Sequence, residues 1–174
     1  MNQKAVVVVQ SEFTQALSQL IECYSGSPPL VCQPDEAKQT VEDGDGVLAT
    51  TIGFGDETFR GSLLMLASKK TTISLSQSNV TSVTDWFGEL ANQLAGRLKN
   101  KLATYGVLPQ LGLPVTLECS EISVRSQNDD TRLWQIESNE GRLVVLLRLE
   151  VPDDLEWKRA DETVTAEEGS LSLF

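Results

Sequence analysis

The chain has 174 residues, with 14 Lys and Arg against 25 Asp and Glu, a formal net charge of −11, and 40% hydrophobic residues. That suits one globular domain with a sizeable core, and the acidity argues against nucleic-acid phosphates or an anionic membrane surface as the main partner. There is no histidine, which removes His-based triads, His metal ligands and imidazole proton shuttles together.

Ala5 to Val9 is a β-branched run that reads as a short buried strand, too short for a signal peptide core or a membrane span. A cytoplasmic protein with no membrane segment is expected. Ser11 then offers a helix N-cap with Glu12 in the first turn. Phe13, Ala16, Leu17, Leu20, Ile21 and Tyr24 follow at helical spacing, so a helix is predicted over 11–25, ended by Gly26-Ser27-Pro28-Pro29. Leu30 to Cys32 reads as a short strand, and 33–46 as a polar, turn-rich connection. Its Asp43-Gly44-Asp45-Gly46 stretch lacks the ligand series and closing Glu of a calcium loop. Two β-type runs, 47–54 and 58–67, flank a hairpin signal at Gly55-Asp56-Glu57. Residues 69–80 fit a strand or a short helix, and 84–105 is the strongest helix signal in the chain. Further β-type runs cover 113–123, 131–138 and 142–150, separated at Asn128-Asp129-Asp130 and Asn139-Glu140-Gly141.

The order predicts an α+β domain over 1–152, with two similar halves that each carry a helix followed by antiparallel strands. Residues 153–174 form an acidic C-terminal tail, with seven carboxylates against Lys158 and Arg159. Cys23, Cys32 and Cys119 show no C-x-x-C spacing, so zinc and redox motifs are poor readings. Buried thiols in a reducing compartment are expected.

The helix over 84–105 carries the chemistry. At about 100° per residue, Phe87, Leu90, Ala91, Leu94, Leu98, Leu102 and Tyr105 share one wide apolar face. Asp85, Glu89, Asn92 and Gly96 line up on the opposite side. Trp86 lies at the edge of the apolar arc, where packing and partner contact are equally open. Gly88 and Gly96 each cost about 1 kcal/mol relative to Ala, and an exposed mid-helix Asn gains nothing structurally. An outward carboxylate can hold a partner's ammonium group, and an outward amide can orient one water. Phosphoryl hydrolysis in a site that already holds its metal needs little more. No Gly-rich phosphate loop, nucleophile elbow or metal-ligand cluster appears in the sequence.

Asp85-x-x-x-Glu89-x-x-Asn92, followed by Pro114 in Gly-Leu-Pro-Val just before a strand, resembles the signature of the CheC/CheX/FliY chemotaxis phosphatases. The segment Glu89 to Leu102, including Gly96, is similar to the CheX branch. The resemblance implies one CheX-like or CheC-like domain acting as a phosphatase on the aspartyl phosphate of a CheY-like response regulator. Carried over by motif position, Glu89 and Asn92 would be the catalytic pair: Glu89 contacts the regulator's active-site lysine, and Asn92 orients the attacking water. Asp85, Gly88 and Gly96 are the expected partner-binding positions, and Pro114 a structural one. No cofactor or metal of this chain is implied, since Mg²⁺ would belong to the regulator. A homodimer formed by joining sheets is implied as well. The helix over 11–25 has no Glu-x-x-Asn, which suits a one-site member. A non-catalytic adaptor of the same fold, binding a receiver domain or flagellar component, is the alternative reading.

Overall fold

The computed structural model describes residues 3–34, 38–57, 59–77, 80–126 and 130–151. The elements run α1 (Gln3–Ser25), β1 (Leu30–Cys32), β2 (Lys38–Gly55), β3 (Arg60–Ser68), α2 (Lys69–Leu75), α3 (Val83–Ala103), β4 (Gln110–Leu111), β5 (Val115–Arg125), β6 (Thr131–Ser138) and β7 (Gly141–Glu150). The strands form one antiparallel sheet in the order β1-β6-β7-β3-β2-β4, with β5 also paired to β2. This is the α+β layout of two helix-plus-strand halves. The predicted tail over 153–174 lies outside the described residues, as do Asn128 and Asp129 of one predicted turn. No helix among the described residues is long and apolar enough to cross a membrane.

The run Ala5 to Val9 is helix and not strand, and Ser11 lies inside α1 instead of capping it. Val6 and Val9 sit at 5% and 0% exposure, extending the helical stripe of Phe13, Ala16, Leu17, Leu20 and Ile21. β-branched residues cost a helix a few tenths of a kcal/mol each, whereas burying a valine contributes roughly 1.5 kcal/mol or more. The helix stops where expected. Gly26 takes φ +70 and its N–H donates to the Glu22 carbonyl at 2.9 Å, the left-handed cap that glycine favours.

The segment 33–46 is more than a connection, because its second part is the start of β2. Lys38 to Glu42 pair with Glu121 to Arg125, and Val47 to Thr51 with Val115 to Cys119, with a register shift between Glu42 and Val47. Gly46 takes φ +107 at this irregularity. The bend carries the β2–β5 ribbon over the sheet face away from the helices. Val41, Ile122 and Val124 pack there on Ala49, Leu66, Leu133 and Val144, and Arg142 of β7 donates a hydrogen bond to Gln39 of β2. The alternation that marks a strand is obscured here because turn-type residues fill the bulge. Lys70 of α2 pairs with Asp45 at 2.9 Å and Asp43 at 3.6 Å across the bend. The Asp45 backbone N–H, followed by Lys70, holds the Asp43 carboxyl below the usual range.

Residues 69–80, open in sequence, contain α2. Ser68 caps it by accepting a hydrogen bond from the Thr71 N–H, and Thr71, Thr72 and Leu75 are buried. The two-residue β4 went unpredicted. The cysteines also differ from expectation: Cys23 and Cys32 are exposed and Cys119 is half-buried. Cys32 and Cys119 lie on β1 and β5, each with one edge unpaired among the described residues, where burial is incomplete. The main core fills the space between the sheet and the helices α1 and α3, with Phe13 and Trp134 in contact at its centre.

Because Leu66 is 0% exposed beneath the ribbon, Leu66→Ala should cost about 2–5 kcal/mol in urea unfolding. A loss of under about 1 kcal/mol would mean that the second face is not packed.

Candidate functional site

Helix α3 is set by its ends and by its inner face. Ser82 caps it, its Oγ accepting from the Asp85 N–H at 3.2 Å. Phe87, Leu90, Ala91, Leu94, Leu98 and Leu102 are all buried, as the spacing predicts. The C-terminal end of α1 and the polar residues of both helices fix the rotation of α3 about its axis. The Tyr24 hydroxyl donates to Gln93 Oε1 at 3.0 Å, and the Tyr24 ring meets the Trp86 ring edge-on at 5.2 Å. Further along, Lys101 Nζ donates to Glu12 Oε2 at 3.2 Å and Gln15 Oε1 at 2.5 Å. The Tyr105 hydroxyl donates to Glu12 Oε1 at 3.0 Å.

The opposite face carries the predicted line. Asp85 and Glu89 are exposed, and Asn92 and Gly96 are half-exposed. Asn92 Nδ2 approaches Glu89 Oε2 at 3.4 Å, so the two side chains project together. Among the described residues no cation lies within ion-pair distance of Asp85 or Glu89. Like charges at i,i+4 cost a few tenths of a kcal/mol, a mismatch the helix retains on its outer surface. Beside Glu89 lies an open groove of about 390 Å³ lined by Val80, Thr81, Ser82, Asp85, Trp86 and Glu89. Trp86 packs on Tyr24 and also lines the groove.

Gly88 departs from the expected arrangement. It is buried, and a Cβ there would stand 3.1 Å from Thr116 Oγ1 and 3.9 Å from Pro114. Its missing side chain admits the start of β5, so the space is filled by the chain itself and is not a shallow spot on the outer face. Pro114 therefore braces the turn of α3 that carries Glu89. Thr116 is held in place by a 2.8 Å hydroxyl hydrogen bond to Thr50 of β2. Gly96 is different: nothing lies within 4 Å of the position its Cβ would take. The groove-forming loop 80–82 and the Tyr24–Gln93 bond were not legible in the sequence, since neither follows from the periodicity of α3. No group of three or more metal-ligating side chains occurs among the described residues.

No protein-family model and no curated protein sequence matches the chain. Solved structures do. A CheC-like superfamily protein from Shewanella sp. PV-4 superposes with a TM-score of 0.67 at 17% identity, over 83% of this chain and 98% of that one. The chemotaxis protein CheX from Desulfovibrio desulfuricans gives 0.64 at 14% identity, over 82% and 99%. A chain of the CheX–CheY–BeF₃–Mg²⁺ complex from Borrelia burgdorferi gives 0.58 at 11% identity, over 80% and 96%. The chain has the fold of the CheX and CheC-like chemotaxis proteins.

The two glycines should separate experimentally. Gly96→Ala should stabilise the protein by up to about 1 kcal/mol, the helix-propensity gain. Gly88→Ala should show no such gain, because the new methyl crowds Thr116. Equal effects of both substitutions on thermal unfolding would refute this packing of α3 on β5.

Proposed function

We propose that the chain is a phosphatase for the aspartyl phosphate of a CheY-like response regulator, bound through the outer face of α3. The observation that carries this reading is the side-by-side projection of Glu89 and Asn92. It is supported by a fold shared with CheX proteins, one of which was solved in complex with CheY.

In the free chain the Asn92 amide nitrogen is directed at Glu89, which leaves Oδ1 to accept a hydrogen bond from water. Docking would bring the regulator's active-site ammonium to Glu89, a carboxylate with no cation within ion-pair distance among the described residues. Asn92 would then enter the regulator's site and hold a water in line with the acyl phosphate. The water oxygen attacks phosphorus, the bond from phosphorus to the aspartyl oxygen breaks, and the products are the free carboxylate and inorganic phosphate. Mg²⁺, held by the regulator, neutralises charge on the phosphoryl oxygens. This chain contributes positioning, which makes up most of the catalysis in such a reaction. Gly96, with open space above it, lets the partner's surface lie against the helix one turn beyond Asn92. The protein would act in the cytoplasm, where response regulators reside. It would pair as a homodimer through β5, whose outer edge no strand of the described residues covers.

The test is the lifetime of a phosphorylated receiver domain. Wild-type protein should shorten it, and Asn92→Ala should lower the stimulated rate by about 100-fold or more while the complex still forms. Glu89→Lys should weaken both binding and turnover. Binding to a beryllofluoride-loaded regulator with no stimulated hydrolysis would select a non-catalytic adaptor instead.

A second expectation concerns assembly. Sedimentation equilibrium at micromolar concentration should return a dimer, and a monomer throughout would remove the β5 pairing from the proposal.

A further inference from the structure

The groove beside Glu89 is not filled by the contacts assigned to Glu89 and Asn92. At 1.5 Å per residue, Asn92 lies about 4.5 Å beyond Glu89 along the helix axis, and Asp85 about 6 Å before it. At about 100° per residue, Trp86 stands about 60° around the axis from Glu89, on the side away from Asn92. The groove therefore opens from Glu89 in the direction opposite to Asn92, toward the N-terminus of α3. A partner that seats a lysine at Glu89 and an acyl phosphate at Asn92 still faces about 390 Å³ of open groove.

The walls and the rim of this groove differ in chemistry. Val80 and the Trp86 ring supply apolar surface, and Asp85 and Glu89 supply two carboxylates. Neither carboxylate has a cation within ion-pair distance among the described residues. Trp86 is half-buried and held in place: the Tyr24 ring meets it edge-on at 5.2 Å, and the Tyr24 hydroxyl is tied to Gln93. A wall fixed before binding loses little rotamer freedom when a partner packs on it. The helix dipole accounts for a carboxylate at Asp85, in the first turn of α3. It accounts for neither the indole beside Asp85 nor the second carboxylate one turn on.

An occupant must lay apolar surface on Val80 and Trp86 and bring positive charge to Asp85. An arginine does both. Its aliphatic stem packs on the apolar wall, its planar guanidinium stacks on an indole, and its N–H groups fork onto a carboxylate. A lysine ammonium is more strongly hydrated and has no plane to stack. A purely apolar side chain would strip water from beside Asp85 and return no counter-charge.

We propose that the groove receives an arginine of the response regulator, distinct from the regulator's active-site lysine, with Trp86 stacked on the guanidinium and Asp85 paired with it. The inference rests on the receiver docking through α3 as described above. Trp86 and Asp85 then decide which receiver domains bind, and Glu89 and Asn92 serve the chemistry that all of them share.

The probe is a beryllofluoride-loaded receiver domain that the wild-type chain binds, and the readout is its Kd. Asp85→Asn should raise Kd at least about threefold. Trp86→Leu, which keeps an apolar wall without the indole, should raise it by about the same factor. Thr81 is exposed on the groove, and Thr81→Lys places a resident cation there while leaving the Tyr24–Trp86 contact intact. That variant should raise Kd about tenfold, and an unchanged Kd counts against the proposal. Replacing the receiver's exposed arginines by Ala one at a time should find one whose loss weakens binding to wild type and not to the Asp85→Asn chain. A receiver that binds without any such arginine overturns the proposal. Unchanged affinity in both Asp85→Asn and Trp86→Leu overturns it too, and leaves the phosphatase reading standing on the Asn92→Ala lifetime. Weakening by Asp85→Asn alone overturns it by assigning Asp85 to the lysine at Glu89. Weakening by Trp86→Leu alone overturns it by assigning the groove to an uncharged side chain. If no loaded receiver binds the wild-type chain, docking through α3 itself falls and takes this inference with it.

Discussion

At Gly88 the α3 backbone meets Pro114 and Thr116 with no side chain between them, and the character of the outer face follows from that closeness. Seven apolar residues of α3 besides Gly88 are buried along the same side, Phe87 and the leucines each contributing roughly 1.5–3 kcal/mol of burial. The polar face contributes tenths. The inner face therefore sets the rotation of the helix, and the outer face takes whatever orientation results. Tyr24 and Lys101, reaching across between α1 and α3 near opposite ends of the contact, lock that orientation further. Asp85 and Glu89 can remain an unbalanced acidic pair because their mutual repulsion is small beside the packing that holds them.

Burial shapes the sheet in the same way. A single-layer sheet with helices on one face leaves the other face wet, and the chain answers this within its longest strand. The irregularity between Glu42 and Val47 folds the β2–β5 ribbon across Leu66, Leu133 and Val144. Lys70 of α2 sits over the bend and pairs with both flanking aspartates. The pairing is open to solvent on the lysine side, so it guides the bend more than it stabilises the fold. Most of the stabilisation comes from burial of the leucines and valines beneath.

Chemically, a chain with no histidine, no phosphate-loop motif and no metal-ligating cluster among its described residues has little to offer alone. An outward Glu–Asn pair becomes useful only against a partner that brings the electrophile, the metal and a lysine. On the proposed function, that division of labour accords with a candidate site that is a helix face with an open neighbouring groove.

Local periodicity was enough to identify α3, its buried stripe, its outward line of Asp85, Glu89, Asn92 and Gly96, the two hairpins and the α+β order of elements. These are readable because an amphipathic helix and a tight turn write their requirements into adjacent residues. The helical state of Val6 to Val9, the strand character of residues 38–46 and the inward use of Gly88 belong to a different class. Each was decided by a surface from a distant part of the chain: the sheet under α1, the second apolar face under the ribbon, and Pro114 with Thr116 against α3. Intrinsic preferences of valine, aspartate and glycine pointed elsewhere, and they are worth about 1 kcal/mol or less per residue. Burial against those distant surfaces is worth more, so tertiary packing settled what neighbouring residues could not.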